Sequence, residues 1–330
     1  MTEPTKRSID DAMELSRPAK ITIRQWWLAS VRAHDKAALA NGVPLYLTLP
    51  GQHGLDIKLL IDEGVIRTTE AGPIVAADAS RIVAIESNMM ACGLLRKKIP
   101  GLSVRQENIS GMLSWNFPDV FPDSKNKKQF RAAVVNLDFN QSLKMHPDGT
   151  IPVLNAIDKI ARIHEGDINR PPIDWTLCLT LNADLICTPQ QRGEQAAFIA
   201  DQVFDCPDLM LWVETHLRDQ LDELEQKPEV LDSWDKAIVQ RLLMVLVPLR
   251  IIQLACARGW RVNCQYVAGY GEHPQETPMV TFVINFEWND TGRVTPAQTS
   301  KTCREQLPAA MCRVLGDGSV EHLPASGTLW

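Results

Sequence analysis

Three stretches of this 330-residue chain put polar side chains where an α/β protein commonly does its chemistry. The first, YLTLPGQHGLDIKLL from Tyr46 to Leu60, reads as an apolar strand, a loop Pro50-Gly51-Gln52-His53-Gly54 and a helix. Such a strand-to-helix turn offers backbone N–H groups and a helix N-terminus to a nucleotide-like ligand. Two glycines allow close backbone approach, whereas Pro50 has no N–H to give and Gln52 adds a side chain. The second stretch, RIVAIESN, ends an apolar strand on Glu86, whose carboxylate has two acceptor oxygens. The third, VVNLDFNQS, puts Asn136 and Asp138 at another strand end. An amine nucleophile needs its lone pair aimed and somewhere for its proton to go, and either side chain could accept from it. The plainer role is also open: Asp138 capping a turn and Asn136 bonding to backbone.

Other chemistries find less support. The histidines show no HxxxH or HExxH spacing, so no metal site is expected; His53 stands out only because it lies in the loop. The eight cysteines form no CxxC pair and read as small buried hydrophobes of a reducing, cytoplasmic setting. GxSxG, GxxxxGK[ST] and a nucleophilic Cys/His signature are absent. A formal charge of −6 gives no global reason to bind nucleic acid, and Lys125, Lys127, Lys128 and Arg131 read as a solvated loop before a strand. The apolar run from Leu242 to Ala257 is broken by Pro248, Arg250 and Gln253, which predicts a buried helix and no membrane span. Trp26 and Trp27 are expected to pack in the core or at an interface.

The elements that position these residues alternate. A helix is predicted from Thr22 to Ala40, stopped by Asn41-Gly42. Strands follow at Leu45–Leu49, Arg81–Ile85, Leu102–Arg105, Ala132–Leu137 and Trp175–Leu181. Helices are predicted at Leu55–Asp62, Asn88–Lys98 and Ile151–His164. Continuous apolar strands separated by helices mean a mostly parallel sheet covered on both faces. Later come helices at Glu194–Val203, Leu211–Gln226 and Ser233–Arg258, the last kinked at Pro248. Trp260–Val267 and Met279–Trp288 form a hairpin, with GYGE (Gly269 to Glu272) in its turn. Residues 1–42 read as a helical extension, 43–288 as the α/β domain, and 289–330 as an unassigned tail.

This order of elements, with acidic residues at the strand ends, resembles the class I S-adenosylmethionine-dependent methyltransferases over roughly Val43 to Trp288. The resemblance implies a Rossmann-like seven-stranded sheet whose last strand is inserted antiparallel. It implies S-adenosylmethionine as cofactor, held by the loop of Pro50, Gly51, His53 and Gly54, with Glu86 on both ribose hydroxyls and Glu107 or Asn108 facing the adenine amino group. The family's acidic residue two positions before the loop is Thr48 here. Amino-group methyltransferases carry a short polar-Pro-Pro-aromatic motif after the fourth strand. Asn136 and Phe139 match its outer positions, so Asn136, Asp138 and Phe139 are the implied catalytic residues, Phe139 stacking on a flat substrate. Leu137 and Asp138 replace the prolines.

The function expected is methyl transfer, with an amino group or a nucleic-acid base as acceptor, although the net charge does not favour the base. The alternative is a chain with a drifted cofactor loop, serving as a scaffold in a bacterial complex such as an antiviral or nucleic-acid-processing assembly. The altered loop, the acidic helices from Leu211 to Asp235 and the paired tryptophans point toward such protein partners. A nicotinamide or nucleotide ligand fits less well, because the loop matches GxGxxG poorly.

Overall fold

The computed structural model describes residues 17–51, 53–106, 131–166, 170–227, 229, 234–271, 277–289 and 295–324. The chain begins with helix α1 (Pro18–Asn41), which starts one turn earlier than expected because Pro18 takes the first helical position. Gly42 ends it in the left-handed conformation, at φ 60°. Then follow β1 (Tyr46–Thr48), α2 (Leu55–Asp62), α3 (Ala76–Ala79), β2 (Ile82–Glu86), α4 (Met89–Lys98), β3 (Val104–Gln106) and β4 (Val134–Lys144). The middle of the chain forms α5 (Pro152–Glu165), β5 (Trp175–Ile186), α6 (Pro189–Val203), α7 (Pro207–Gln226) and α8 (Lys236–Ala257). It finishes with β6 (Trp260–Tyr270), β7 (Met279–Trp288), α9 (Pro296–Ala310), β8 (Met311–Val314) and β9 (Val320–His322).

Among the described residues these strands form one nine-stranded sheet in the order β3-β2-β1-β4-β5-β7-β6-β8-β9. Strands β1 to β5 are mutually parallel, and β7 is inserted antiparallel between β5 and β6. The expected seven-stranded pattern is therefore present, and the segment left unassigned adds a helix and two strands at the β6 edge. Two apolar layers cover the sheet. Leu47, Val135, Leu177, Leu179, Phe282 and Phe286 pack on one side with α5, α7 and α8. Ile23, Trp27, Val134, Cys178 and Val283 pack on the other with α1 and α4.

Helix α8 is long and apolar enough to cross a bilayer, yet its residues Leu242 to Leu249 are all buried in the core. Pro248 lies within it. Trp26 and Trp27 are both buried, Trp26 stacking on Tyr266 with ring centroids 4.2 Å apart. Arg131 is buried and donates to the carbonyls of Ile163, Arg170 and Pro171, so it belongs to no surface basic patch; Lys125, Lys127 and Lys128 lie outside the described residues. Gly269 and Tyr270 belong to β6, not to the hairpin turn. A Cβ on Gly269 would come within 2.5 Å of the Gln240 amide, so close packing explains that glycine.

Candidate functional site

The chain runs outward from β1 through β2 to β3, then returns to the other side of β1 with β4. The strand order reverses between β1 and β4, and the region outside the carboxyl ends of the strands at such a switch point is the usual ligand position in an open α/β sheet, although β4 itself runs on as a strand to Lys144 rather than ending after Leu137. Thr48, the last residue of β1, pairs with Asn136 on one side and Ala84 on the other. Pro50 and Glu86 thus each lie two residues beyond the Thr48–Ala84 pair on neighbouring strands.

The loop closes on itself, Gly54 N–H donating to the Pro50 carbonyl at 3.1 Å. Gly51 and Gly54 both have φ +56°, a conformation natural for glycine. Among the described residues, its chain neighbours aside, nothing lies within 4 Å of a Cβ built on Gly51, which leaves space there for a ligand. A Cβ on Gly54 would meet Ile99 and Leu95 at 2.9 and 3.0 Å, so Gly54 packs against the second half of α4. His53 follows the same path, its Nδ1 3.1 Å from Lys98 Nζ. Glu86 lies at the start of α4, half-buried, with Oε1 accepting from Asn88 N–H at 2.8 Å; among the described residues no hydrogen bond or ion pair joins it to the loop. Glu107 and Asn108 lie outside the described residues, as does Gln52.

Beneath the loop is a buried polar cluster that the sequence did not announce. Asp56, in the first turn of α2, is 7% exposed and accepts hydrogen bonds from Tyr46 O–H at 2.9 Å and from the Thr48 hydroxyl. Asn136 donates its amide to Tyr46 Oη at 2.7 Å and lies 3.4 Å from Asp56 Oδ2. Burial, followed by the charge of Asp56, raises the Tyr46 phenol well above its usual range, so it stays a donor. Asn136 Oδ1 is buried with no hydrogen-bond partner among the described residues, an unmet acceptor inside the cluster. The signal for this cluster was the strand period of two, which sets Tyr46 and Thr48 on one face toward the helix carrying Asp56.

The three residues expected to meet substrate divide by the same period. Asn136 and Asp138 share a face of β4; Asn136 is 1% exposed and Asp138 is exposed. Phe139 points to the opposite face, where it is 7% exposed in the apolar layer with Val135 and Leu137. A stacking platform for substrate at Phe139 is not what this geometry provides.

No protein family matches the chain, and no curated protein matches it. Similar solved structures include a modification subunit of a putative type I restriction enzyme from Vibrio vulnificus YJ016, at 9% identity over 73% of this chain and a TM-score of 0.35. The chain spans 40% of the length of that protein. Another is the plantazolicin methyltransferase BpumL in complex with SAH, at 10% identity, 87% of this chain, 92% of that one and a TM-score of 0.31. The topology described above, five parallel strands with β7 inserted antiparallel between β5 and β6 and helices on both faces, is that of a class I methyltransferase-like fold.

Proposed function

We propose that the chain binds S-adenosylmethionine over the carboxyl ends of β1 and β2 and transfers its methyl group to an acceptor held over β4 and β5. The observation that carries this reading is the switch point between β1 and β4, flanked by a glycine loop with space at Gly51 among the described residues and by Glu86 at the same level on β2. These residues fit the group. Gly51 lets backbone approach the ligand, and the first amides of α2 point outward from its N-terminus. Glu86 would accept from both ribose hydroxyls, since only its Oε1 is engaged by Asn88. Pro50 contributes no N–H, so the cradle is weaker than a three-glycine loop would supply. His53 and Gly54 brace the loop on α4.

When bound, the cofactor supplies an electrophilic methyl group on a sulfonium. The acceptor that an amino group would need is Asp138, exposed on the face of β4 that also carries the buried Asn136 two residues before it. Asp138 would aim the amine and take its proton. Phe139 has no part in this, being committed to the opposite layer.

A second reading, a chain of this fold that acts by binding protein partners, is favoured by Phe204, which is 83% exposed beside Asp201, Asp205 and Asp208 at the α6–α7 junction. A thermal-shift series with S-adenosylmethionine and S-adenosylhomocysteine separates the two. A saturable rise in Tm supports the enzyme; an unchanged Tm, with stable partners co-purifying from the native host, supports the binding protein.

A further inference from the structure

Outside the candidate cofactor site, two thiols face each other where α8 meets α9. Cys256, next to last in α8, and Cys303, in the middle of α9, have their sulfurs 4.0 Å apart. Both residues are buried, at 2% and 3% exposure. Strand β8 pairs with β6 from Val267 to Gly269, so nearer the start of β6 the helix α9 can reach the strand, and Val262 N–H donates to Cys303 Sγ at 3.3 Å. Cys264, two residues further along β6, is a third buried thiol of this region, near enough to Cys303 for their charges to interact. Helix α9 is held to the α6–α7 junction by Arg304, which donates to the Gln202 carbonyl and pairs with Asp205 at 3.1 Å. No covalent bond yet holds it to α8.

A disulfide needs the sulfurs at about 2.05 Å, so each must move by roughly 1 Å, within reach of a small rotation about χ1. The two sulfurs are not equivalent. Cys303 Sγ already accepts from Val262 N–H, which makes it the better site for negative charge and Cys256 S–H the donor between them. The Cys303 thiol is held below its usual range, first by the Cys256 S–H and then by Val262 N–H and Arg261, against burial and Glu287. Cys256 is raised by its bond to Cys303 and by burial. A readily ionised thiol beside a protonated one is the arrangement of an attacking and a resolving cysteine.

We propose that Cys256 and Cys303 are a redox pair, converted by hydrogen peroxide to a reversible disulfide that staples α9, and with it the β8–β9 edge, to the end of α8. Peroxide is the oxidant that suits the site, being small and neutral enough to enter a packed interior. Cys303 Sγ gives up its proton and attacks one peroxide oxygen; the O–O bond breaks, leaving a sulfenic acid on Cys303 and releasing one water. Cys256 Sγ then attacks the Cys303 sulfur; the S–O bond breaks, and the hydroxide leaves with the Cys256 proton as a second water. Two electrons pass from the sulfurs to the peroxide. The bridge closes a loop across 47 positions of sequence. None of this rests on the methyltransferase reading.

The test treats the folded full chain with equimolar hydrogen peroxide, blocks the remaining thiols and maps the peptides by mass spectrometry without reduction. The expected product has lost two hydrogens and contains the Cys256 peptide joined to the Cys303 peptide. Dithiothreitol should reverse it, and the oxidised chain should unfold roughly 5 °C or more above the reduced one. In Cys256→Ser, which removes the resolving thiol, dimedone should trap Cys303 as the sulfenic acid. The proposal is overturned if no Cys256–Cys303 link forms, if it forms only in urea, or if Cys264 is the residue joined to Cys303. Glutathione disulfide that links the pair as fast as peroxide overturns the choice of oxidant, a link that leaves Tm unchanged overturns the staple, and untrapped Cys303 in Cys256→Ser overturns the order of attack.

Discussion

Thr48, the last residue of β1, donates its hydroxyl to Asp56 in the first turn of α2. The strand carries no carboxylate before the loop, and α2 provides one from the side instead. Tyr46 and Asn136 converge on the same group, so residues of β1, β4 and α2 are tied together directly under the candidate cofactor loop.

Replacing Asp56 should therefore destabilise the fold more than a surface change does. Asp56→Ala leaves the Tyr46 and Thr48 hydroxyls without their buried acceptor, at about 3 kcal/mol. Asp56→Asn keeps one acceptor oxygen and should lose less. Urea unfolding midpoints measure both; equal, near-wild-type midpoints would deny the cluster this role.

The two loop glycines should respond differently to alanine. Gly51→Ala meets only the strain of φ +56°, roughly 1 kcal/mol, because its Cβ enters open space. Gly54→Ala adds contacts of 2.9 and 3.0 Å with Ile99 and Leu95, raising the loss to roughly 2–3 kcal/mol. Thermal unfolding should rank Gly54→Ala below Gly51→Ala, whereas Gly51→Ala should be the one that weakens cofactor binding out of proportion to stability.

Acid sensitivity should trace to His164. Its Nδ1 lies 2.8 Å from the Ile160 carbonyl oxygen, and its Nε2 lies 3.2 Å from Ala132 N and 2.9 Å from the Ala132 carbonyl oxygen, so backbone groups hold the buried ring and partly offset the cost of charging it. Burial pulls the imidazole from 6.5 to about 4. Between those values the unfolded chain holds more protons than the folded one. Its contribution is full above pH 6.5 and is lost as the pH falls toward 4, with a ceiling of about 3 kcal/mol. Denaturant unfolding from neutral to mildly acid pH should show this slope, and His164→Gln should flatten it.

Gln240 should prove a keystone of the β6–β7 end. Gln240→Leu leaves the buried carbonyls of Tyr270 and Met279 without their side-chain donor, at about 2 kcal/mol.

Much of the sheet was legible because its parallel strands are continuous apolar runs, such as AAVVNL and WTLCLTL, separated by helices with clear stop signals. Glu86 could be set at the end of β2 for the same reason. Strands β8 and β9 were not legible: β8 has only four residues, and the edge strand β9 has three, Val320, Glu321 and His322, all exposed, so no alternation marks it. Asp56 was missed because its burial depends on how α2 lies against β1, a tertiary fact. Phe139 is a different case. Its separation from Asn136 and Asp138 follows from the period of two, and a motif matched by residue type alone overlooks which face each position takes.

The most direct measurement is calorimetric titration of S-adenosylhomocysteine into the wild-type chain and into Glu86→Ala. A saturable heat in the wild type, weakened about tenfold or more in Glu86→Ala at unchanged folding, is the expected result, since a carboxylate accepting two hydroxyls contributes about 1.5–3 kcal/mol. No heat in the wild type would contradict cofactor binding over β1 and β2. Equal heats in both proteins would contradict the placement of the ribose at Glu86.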